Sequence, residues 1–139
     1  MKIAIFLLSI LLLVASILYI IYKRNNIKNK ITDIMVSKEV IDIGDRLKNS
    51  SSIGKYTIYN TGKYDLYIKS VEPDCHCTVS QFSKDRIRPT DSTVILLRYD
   101  STRLGIFQTS ALVNANSSRM PLLLILRGNI IDSSVQYKN

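Results

Sequence analysis

The side chains best suited to chemistry in this sequence are adjacent: Cys75, His76 and Cys77 include both cysteines and the only histidine among 139 residues. Two thiolates and an imidazole are ligands that suit Cu(I) and Zn²⁺. The same cysteines could instead form a disulfide or pack as small apolar side chains. The pattern therefore allows a metal site at Cys75, His76 and Cys77, a Cys75–Cys77 disulfide, or buried thiols.

Geometry separates these three interpretations. On a strand the two sulfur atoms would share one face and the imidazole would take the other, so a common ion would require a turn, which Pro73 and Asp74 permit. A structural zinc site would need a further ligand, and no other Cys or His exists. Cα atoms two residues apart on a strand lie about 6.6 Å apart, at the long edge of disulfide geometry. We therefore favour thiols packed near Val71 and Val79, with no cofactor, and keep copper or zinc as the alternative.

The rest of the sequence carries no catalytic constellation. It has no glycine-rich phosphate loop and no nucleophile elbow. The lone histidine would face away from the neighbouring thiols on a strand, which opposes a Cys–His pair. We predict that the protein is not an enzyme.

The amino terminus predicts a membrane anchor. Residues 3–22 contain no charge, and twenty residues suffice to cross a bilayer core of about 30 Å as a helix. A cleaved signal peptide is the alternative, but the apolar run is longer than usual and its small-residue pair, Ala15 and Ser16, lies inside it. We predict an uncleaved single-pass anchor at residues 1–24, followed by a basic linker at residues 25–33.

The net charge of +8 is concentrated beside this anchor. Lys23, Arg24, Lys28 and Lys30 would lie at the bilayer surface, where each gains about 1 kcal/mol near anionic lipid. Because the other basic residues are scattered among acidic ones, nucleic acid is not an expected partner. The cluster opposes export, since the positive-inside rule would hold it in the cytoplasm.

Residues 34–132 show the patterns of a β-sandwich. Short runs such as GKYTIYNTG, YDLYIKSVEP and STVILLRYD alternate with period two and end at turn residues, and residues 133–139 form a polar tail. Asn60-Thr61-Gly62-Lys63 predicts a hairpin in which the glycine has positive φ. We predict an all-β, immunoglobulin-like sandwich of about seven strands behind one transmembrane helix.

Five segments in order resemble the bacterial DUF1573 family, a domain of unknown function. They are IDIGD at 41–45, YTIYNTGKYDLYIKSV at 56–71, CHCTV at 75–79, the run from Ile87 to Asn116, and LLILRGNI at 123–130. The resemblance implies an immunoglobulin-like sandwich similar to abnormal-spindle/hydin and major-sperm-protein-like domains. This chain departs from the family at His76, where glycine is usual, and at Pro89-Thr90, where the family has Pro-Gly.

The resemblance also implies export, because members look exported and are common in Bacteroidota. We therefore expect a single-pass protein of the cell inner membrane with a periplasmic domain, despite the charge rule. Its expected function is non-enzymatic: a protein-binding or scaffold module whose partners are the lipid bilayer and an unidentified envelope or membrane protein. The alternative is a membrane-tethered metal-binding or thiol-redox module that uses Cys75, His76 and Cys77.

Overall fold

The computed structural model describes residues 2–28 and 30–132, with side chains described for residues 6–24 and 30–132. The chain divides after Lys30 into a helical unit and a β unit. The predicted polar tail, residues 133–139, lies outside the described residues.

The helical unit is one helix, α1 (Lys2–Lys28), which continues four residues past the predicted end of the anchor. No glycine or proline occurs before Gly44, so no helix breaker ends it earlier. Its segment Phe6–Arg24 has 19 residues and a mean hydropathy of 2.3. At about 1.5 Å per residue this segment spans roughly 28 Å, so it is long and apolar enough to cross a membrane.

The two serines within this segment suit an apolar surrounding. The Ser9 hydroxyl donates to the Phe6 carbonyl and the Ser16 hydroxyl to the Leu13 carbonyl, each at 2.7 Å. Their hydrogen-bonding capacity is therefore used inside the helix, which lowers the cost of placing them in hydrocarbon.

Between residues 31 and 132 the β unit contains eight strands, where the sequence predicts about seven, because the pattern does not separate the three-residue first strand. They are β1 (Ile34–Val36), β2 (Val40–Leu47), β3 (Ser52–Asn60), β4 (Ile68–Pro73), β5 (Thr78–Phe82), β6 (Ser92–Tyr99), β7 (Gly105–Ala115) and β8 (Leu122–Ile131). Four form a sheet in the order β1-β3-β6-β5 and four form a second sheet in the order β2-β8-β7-β4. All pairs are antiparallel except β2 with β8. The predicted all-β, immunoglobulin-like sandwich is confirmed.

Alternating side chains from both sheets fill the space between them. The fully buried apolar members include Tyr56, Ile58, Leu66, Ile95, Leu97, Val113, Leu124 and Leu126. Tyr56 is the one with a polar atom, and its hydroxyl donates to the Ile125 carbonyl at 2.6 Å. Burial raises the pKa of this phenol, which keeps it protonated and able to donate.

The hairpin predicted at residues 60–63 is wrong. β3 pairs with β1 and β6 in one sheet, whereas β4 pairs with β7 in the other, so the connection crosses between sheets. The Asn60 side chain directs this crossing, because its amide donates to the Tyr64 carbonyl at 2.7 Å and to the Ile87 carbonyl at 3.0 Å. A turn sequence of this kind forms equally well in a hairpin and in a crossing.

The role predicted for Gly62 is also wrong. The glycines with positive φ in the described residues are Gly44 and Gly105, not Gly62. A Cβ atom on Gly62 would instead collide with the Thr32 side chain and the Asp33 backbone. Glycine is needed there because another segment passes too close for any side chain.

The departure from Pro-Gly at residues 89 and 90 leaves a β-branched residue in the left-handed region, with φ of 70° at Thr90. Such a residue costs about 1 to 2 kcal/mol there. We expect Thr90→Gly to raise the free energy of unfolding by about 1 kcal/mol in a urea titration. This net value already includes the opposing effect of the greater flexibility of glycine in the unfolded chain. Asn49 has a φ of 62°, but Asn tolerates this region, so Asn49→Gly should change stability by less than about 0.5 kcal/mol. Equal effects of the two substitutions would contradict the strain argument.

Candidate functional site

The Cys75-His76-Cys77 segment forms a turn between β4 and β5 rather than part of a strand. Cys75 and Cys77 are joined by a disulfide, and their Cα atoms are 5.3 Å apart. This separation falls well within disulfide geometry, because the turn brings the two residues closer than an extended strand would. The expectation of free thiols packed in the core is therefore wrong in this structure, and Val79 is 65% exposed.

Asp74 attaches this turn to β7. Its carboxylate accepts hydrogen bonds from the Thr109 hydroxyl at 2.7 Å, the Ser110 hydroxyl at 2.8 Å and the Ser110 amide at 2.9 Å. The Asp74 amide also donates to the Ser110 carbonyl at 3.0 Å. Pro73 and Asp74 were recognised in the sequence only as turn formers, and no sequence signal links them to residues 109 and 110.

Two buried threonines lie beneath the disulfide. The hydroxyls of Thr78 and Thr109 are 2.8 Å apart. The Cys75 sulfur lies 3.7 Å from the first hydroxyl and 3.6 Å from the second. A chain of polar contacts therefore leads from the Asp74 carboxylate through Thr109 to one sulfur of the disulfide.

Hydrogen bonding tunes the Asp74 carboxyl. Partial burial raises the pKa of this group, but the hydrogen bonds from Thr109 and Ser110 outweigh it and hold the pKa below its usual value. A lowered native pKa means that the carboxylate stabilises the fold above the unfolded-state pKa of about 3.9. That stabilisation is lost as the pH falls through the native value.

We expect Asp74→Asn to lower the free energy of unfolding by about 1 to 2 kcal/mol at neutral pH, because Asn cannot accept all of these hydrogen bonds. The difference from the wild-type protein should begin to shrink below about pH 4, where the unfolded-state carboxyl takes up its proton, and should continue to shrink toward the lower native pKa. Urea titrations of both proteins from pH 7 to pH 3 would measure this. A difference that stays constant over this range would contradict the role of the ionised carboxylate.

An open cleft of about 620 Å³ adjoins the turn. Its lining includes His76 and Cys77 from the turn, Ser50 and Ser52 from the segment before and at the start of β3, and Arg98 from β6. The hydroxyls of Ser50 and Ser52 are buried and have no hydrogen-bond partner in the described part of the chain. Cys75 is absent from the lining, and although both sulfur atoms lie near the Thr78 hydroxyl, only the Cys75 sulfur also lies near that of Thr109.

The metal interpretation of Cys75, His76 and Cys77 stays a prediction. Both sulfurs are bonded to each other here, and the His76 side chain is exposed. Within residues 2–28 and 30–132, no group of three or more His, Cys, Asp or Glu side chains is arranged to hold a metal ion. Copper or zinc would therefore require reduction of the disulfide and at least one ligand from elsewhere.

Of the predicted membrane-surface residues, Lys23 and Arg24 are exposed and lie at the carboxyl end of the apolar segment. Lys28 lies in the helix, but its side chain is outside the described residues. Lys30 is exposed and follows the helix.

Comparison with known proteins agrees with the fold just described. The family described as 'Protein of unknown function (DUF1573)' matches residues 34–130, which are most of the chain. The chain belongs to the DUF1573 family. Within this DUF1573 protein the match covers the β unit from β1 to the penultimate residue of β8, and the family predicted from the sequence is confirmed.

The chain is also similar to one protein by sequence and to two solved structures by fold. The human hydrocephalus-inducing protein homolog is 29% identical to the DUF1573 chain over 102 residues, which are 71% of this chain and 2% of that protein. A protein of unknown function from Porphyromonas gingivalis W83 superposes with a TM-score of 0.63 at 16% identity, over 73% of this chain and 48% of the other. The ASH/PapD-like domain of human CEP192 gives a TM-score of 0.58 at 12% identity, over 73% of this chain and 87% of the domain. The DUF1573 chain thus spans only a small part of the first relative and about half of the second.

Proposed function

We propose that this protein is a non-enzymatic, membrane-anchored module that binds an extended segment of an envelope or membrane protein along the free edge of β5. The observation that carries the proposal is the absence from β5 of the features that protect the other sheet edges. The membrane-crossing capacity of Phe6–Arg24 supports tethering at the inner membrane.

Exposed sheet edges invite pairing with other strands, and proteins usually block them with short strands, charges, prolines or bulges. The β1 edge has only three residues. The β4 edge carries Lys69, Glu72 and Pro73. The β2 edge has a bulge between Asp42 and Asp45, and Arg127 holds the Asp42 carboxylate at 3.0 Å. Each of these three edges therefore carries at least one protective feature.

β5 has the sequence TVSQF, with no charge and no proline. Its ladder with β6 shows which groups are free. The Asp100 amide donates to the Cys77 carbonyl at 2.8 Å, and because antiparallel hydrogen bonds alternate, Val79 and Gln81 bond to β6. The main-chain groups of Ser80 and Phe82 consequently point to the open edge, where a partner strand can add.

The outer face beside this edge is partly apolar. Val79 is 65% exposed and lines a shallow depression with Ile53 and Leu96. A strand added at β5 would place alternate side chains on this outer face, beside Val79. The chemistry favours a partner segment with an apolar or β-branched side chain at that position.

The proposed periplasmic side rests on the disulfide and on the family resemblance. Disulfides persist in oxidising compartments such as the bacterial periplasm. The basic residues Lys23, Arg24, Lys28 and Lys30 argue for the opposite orientation, so the side of the membrane is tested directly below.

A matched pair of substitutions tests the binding edge. We expect Val79→Lys to abolish recovery of the partner with the detergent-solubilised protein, because a charge on an edge strand opposes pairing and would replace the apolar contact beside the added strand. Leu112→Lys should preserve recovery, since Leu112 is exposed on β7 at a position that pairs with Glu72 of β4 on one side and Leu123 of β8 on the other. The measurement is quantitative mass spectrometry of proteins that co-purify with each variant from membranes. Equal recovery with Val79→Lys and the wild-type protein would contradict the proposal.

A further inference from the structure

The Cys75–Cys77 disulfide joins no two strands. It closes a turn that hydrogen bonds already hold, because the Thr78 amide donates to the Cys75 carbonyl at 3.3 Å and Asp74 is bonded to β7. A disulfide across so short a loop constrains the unfolded chain little. The bond can therefore open without removing the contacts that hold the turn.

The two sulfur atoms differ in access. Cys77 lines the cleft of about 620 Å³ together with His76 and Arg98. Cys75 does not line it, and its sulfur faces the hydroxyls of Thr78 and Thr109, which are both buried. An incoming thiolate can reach Cys77 from the cleft, and access of this kind decides which sulfur is attacked.

Hydrogen bonding adds a second difference. The Thr109 hydroxyl donates its proton to Asp74 at 2.7 Å, so its oxygen is left to accept. A reduced Cys75 would lie 3.6 Å from that oxygen and could donate its S–H to it. This contact favours the protonated thiol at Cys75, whereas the Cys77 sulfur has one hydroxyl, that of Thr78, at 4.0 Å and its residue lines the cleft.

We propose that Cys75–Cys77 is a thiol–disulfide exchange site that accepts two electrons from a dithiol, with Cys77 as the sulfur that is attacked. One thiolate of the dithiol bonds to the Cys77 sulfur, the bond between Cys75 and Cys77 breaks, and Cys75 leaves and takes a proton. The second thiol of the dithiol, as a thiolate, then attacks the first sulfur of the same dithiol, which is bonded to Cys77. Cys77 leaves and takes a proton. The dithiol becomes a disulfide and the protein becomes a dithiol, so atoms and electrons balance. The inference is independent of binding at the β5 edge.

Single-cysteine variants of the full chain in detergent test this assignment. We expect Cys77 in Cys75→Ser to form a mixed disulfide with oxidised glutathione at least about ten-fold faster than Cys75 in Cys77→Ser, because exchange rates follow access. In denaturant the two rates should agree, which serves as the control for intrinsic reactivity. Equal rates in the folded chains, or faster reaction at Cys75, would overturn the proposal.

The wild-type chain provides a second measurement that needs no variant to fold. Folded protein is treated with dithiothreitol, quenched with an alkylating reagent and analysed by mass. We expect both cysteines to become alkylated while the circular dichroism of the sandwich is retained. A disulfide that resists dithiothreitol until the protein is denatured would overturn the exchange site, even if partner binding at β5 were intact.

Discussion

Replacement of Asn60 by alanine is expected to lower the free energy of unfolding of the β unit by about 4 kcal/mol. The Asn60 side chain is 1% exposed and makes four hydrogen bonds. It donates to the Tyr64 and Ile87 carbonyls, and its oxygen accepts from the Thr32 hydroxyl at 2.9 Å and the Gly62 amide at 3.2 Å. Alanine would remove all four bonds in a site that has little access to water, although the Gly62 amide also donates to Asp33 and the Ile87 carbonyl also accepts from Leu66.

Asn114→Ala is the matched control. The Asn114 amide makes one bond of 3.2 Å to the Ser70 hydroxyl at a half-buried position, so its loss should cost less than about 1 kcal/mol. Urea titrations of full-length chains in detergent, followed by tyrosine fluorescence, would give both values. A loss below about 1 kcal/mol for Asn60→Ala would contradict the claim that this side chain organises the crossing between the sheets.

The second large effect concerns the side of the membrane. In a chain with Cys75→Ser, Cys77→Ser and Gln108→Cys, we expect a membrane-impermeant maleimide to label residue 108 in intact cells whose outer membrane admits the reagent. Gln108 is exposed on β7, so its labelling depends on location rather than on unfolding. The expected difference is all or none, because the reagent does not cross the inner membrane.

The native cysteines can be removed for this experiment at small cost. Closing a loop of three residues contributes only about 1.6 kcal/mol in the chain-entropy model. A chain without the cysteine at position 108 should carry no label, and a cytoplasmic thiol protein should stay unlabelled in the same cells. Labelling that occurs only after the cells are opened would place the domain in the cytoplasm, as the basic residues from Lys23 to Lys30 imply.

The sandwich and the helix could be predicted because their signals are local and repeated. The sequences of residues 92–99 and 105–115 alternate between inward and outward positions over a whole strand. One residue that breaks the alternation does not obscure such a pattern. In the apolar run before Lys23, twenty uncharged residues likewise carry the same signal. Strand existence and class follow from such patterns, whereas the partner of each strand does not.

The pairing of β3 and β4 shows this limit. The turn at residues 60–63 has the composition of a hairpin, but the buried contacts of Asn60 decide that the chain crosses to the other sheet. No local sequence pattern near residue 60 indicates that Asn60 bonds to Ile87, which is 27 residues away. The interpretation of Gly62 failed for the same reason, because Thr32 and Asp33 are distant in sequence and close in space.

The candidate site was predicted in its residue types but not in its arrangement. Cys75, His76 and Cys77 stand out by rarity, and the disulfide was one of the open interpretations. The turn geometry depends on Asp74 reaching residues 35 and 36 positions away, at Thr109 and Ser110. Such contacts arise from the packing of β4 beside β7, which short-range patterns do not encode.

The central claim, capture of a partner strand at the β5 edge, is tested most directly by site-specific photo-crosslinking in intact cells. A photoreactive amino acid would replace Gln81, exposed on β5, or Leu112, exposed on β7 at a position paired with β4 and with β8. The account predicts a crosslinked adduct of defined mass from position 81, lost when Val79→Lys is added, and none from position 112. No adduct at position 81, or the same adduct from both positions, would contradict it.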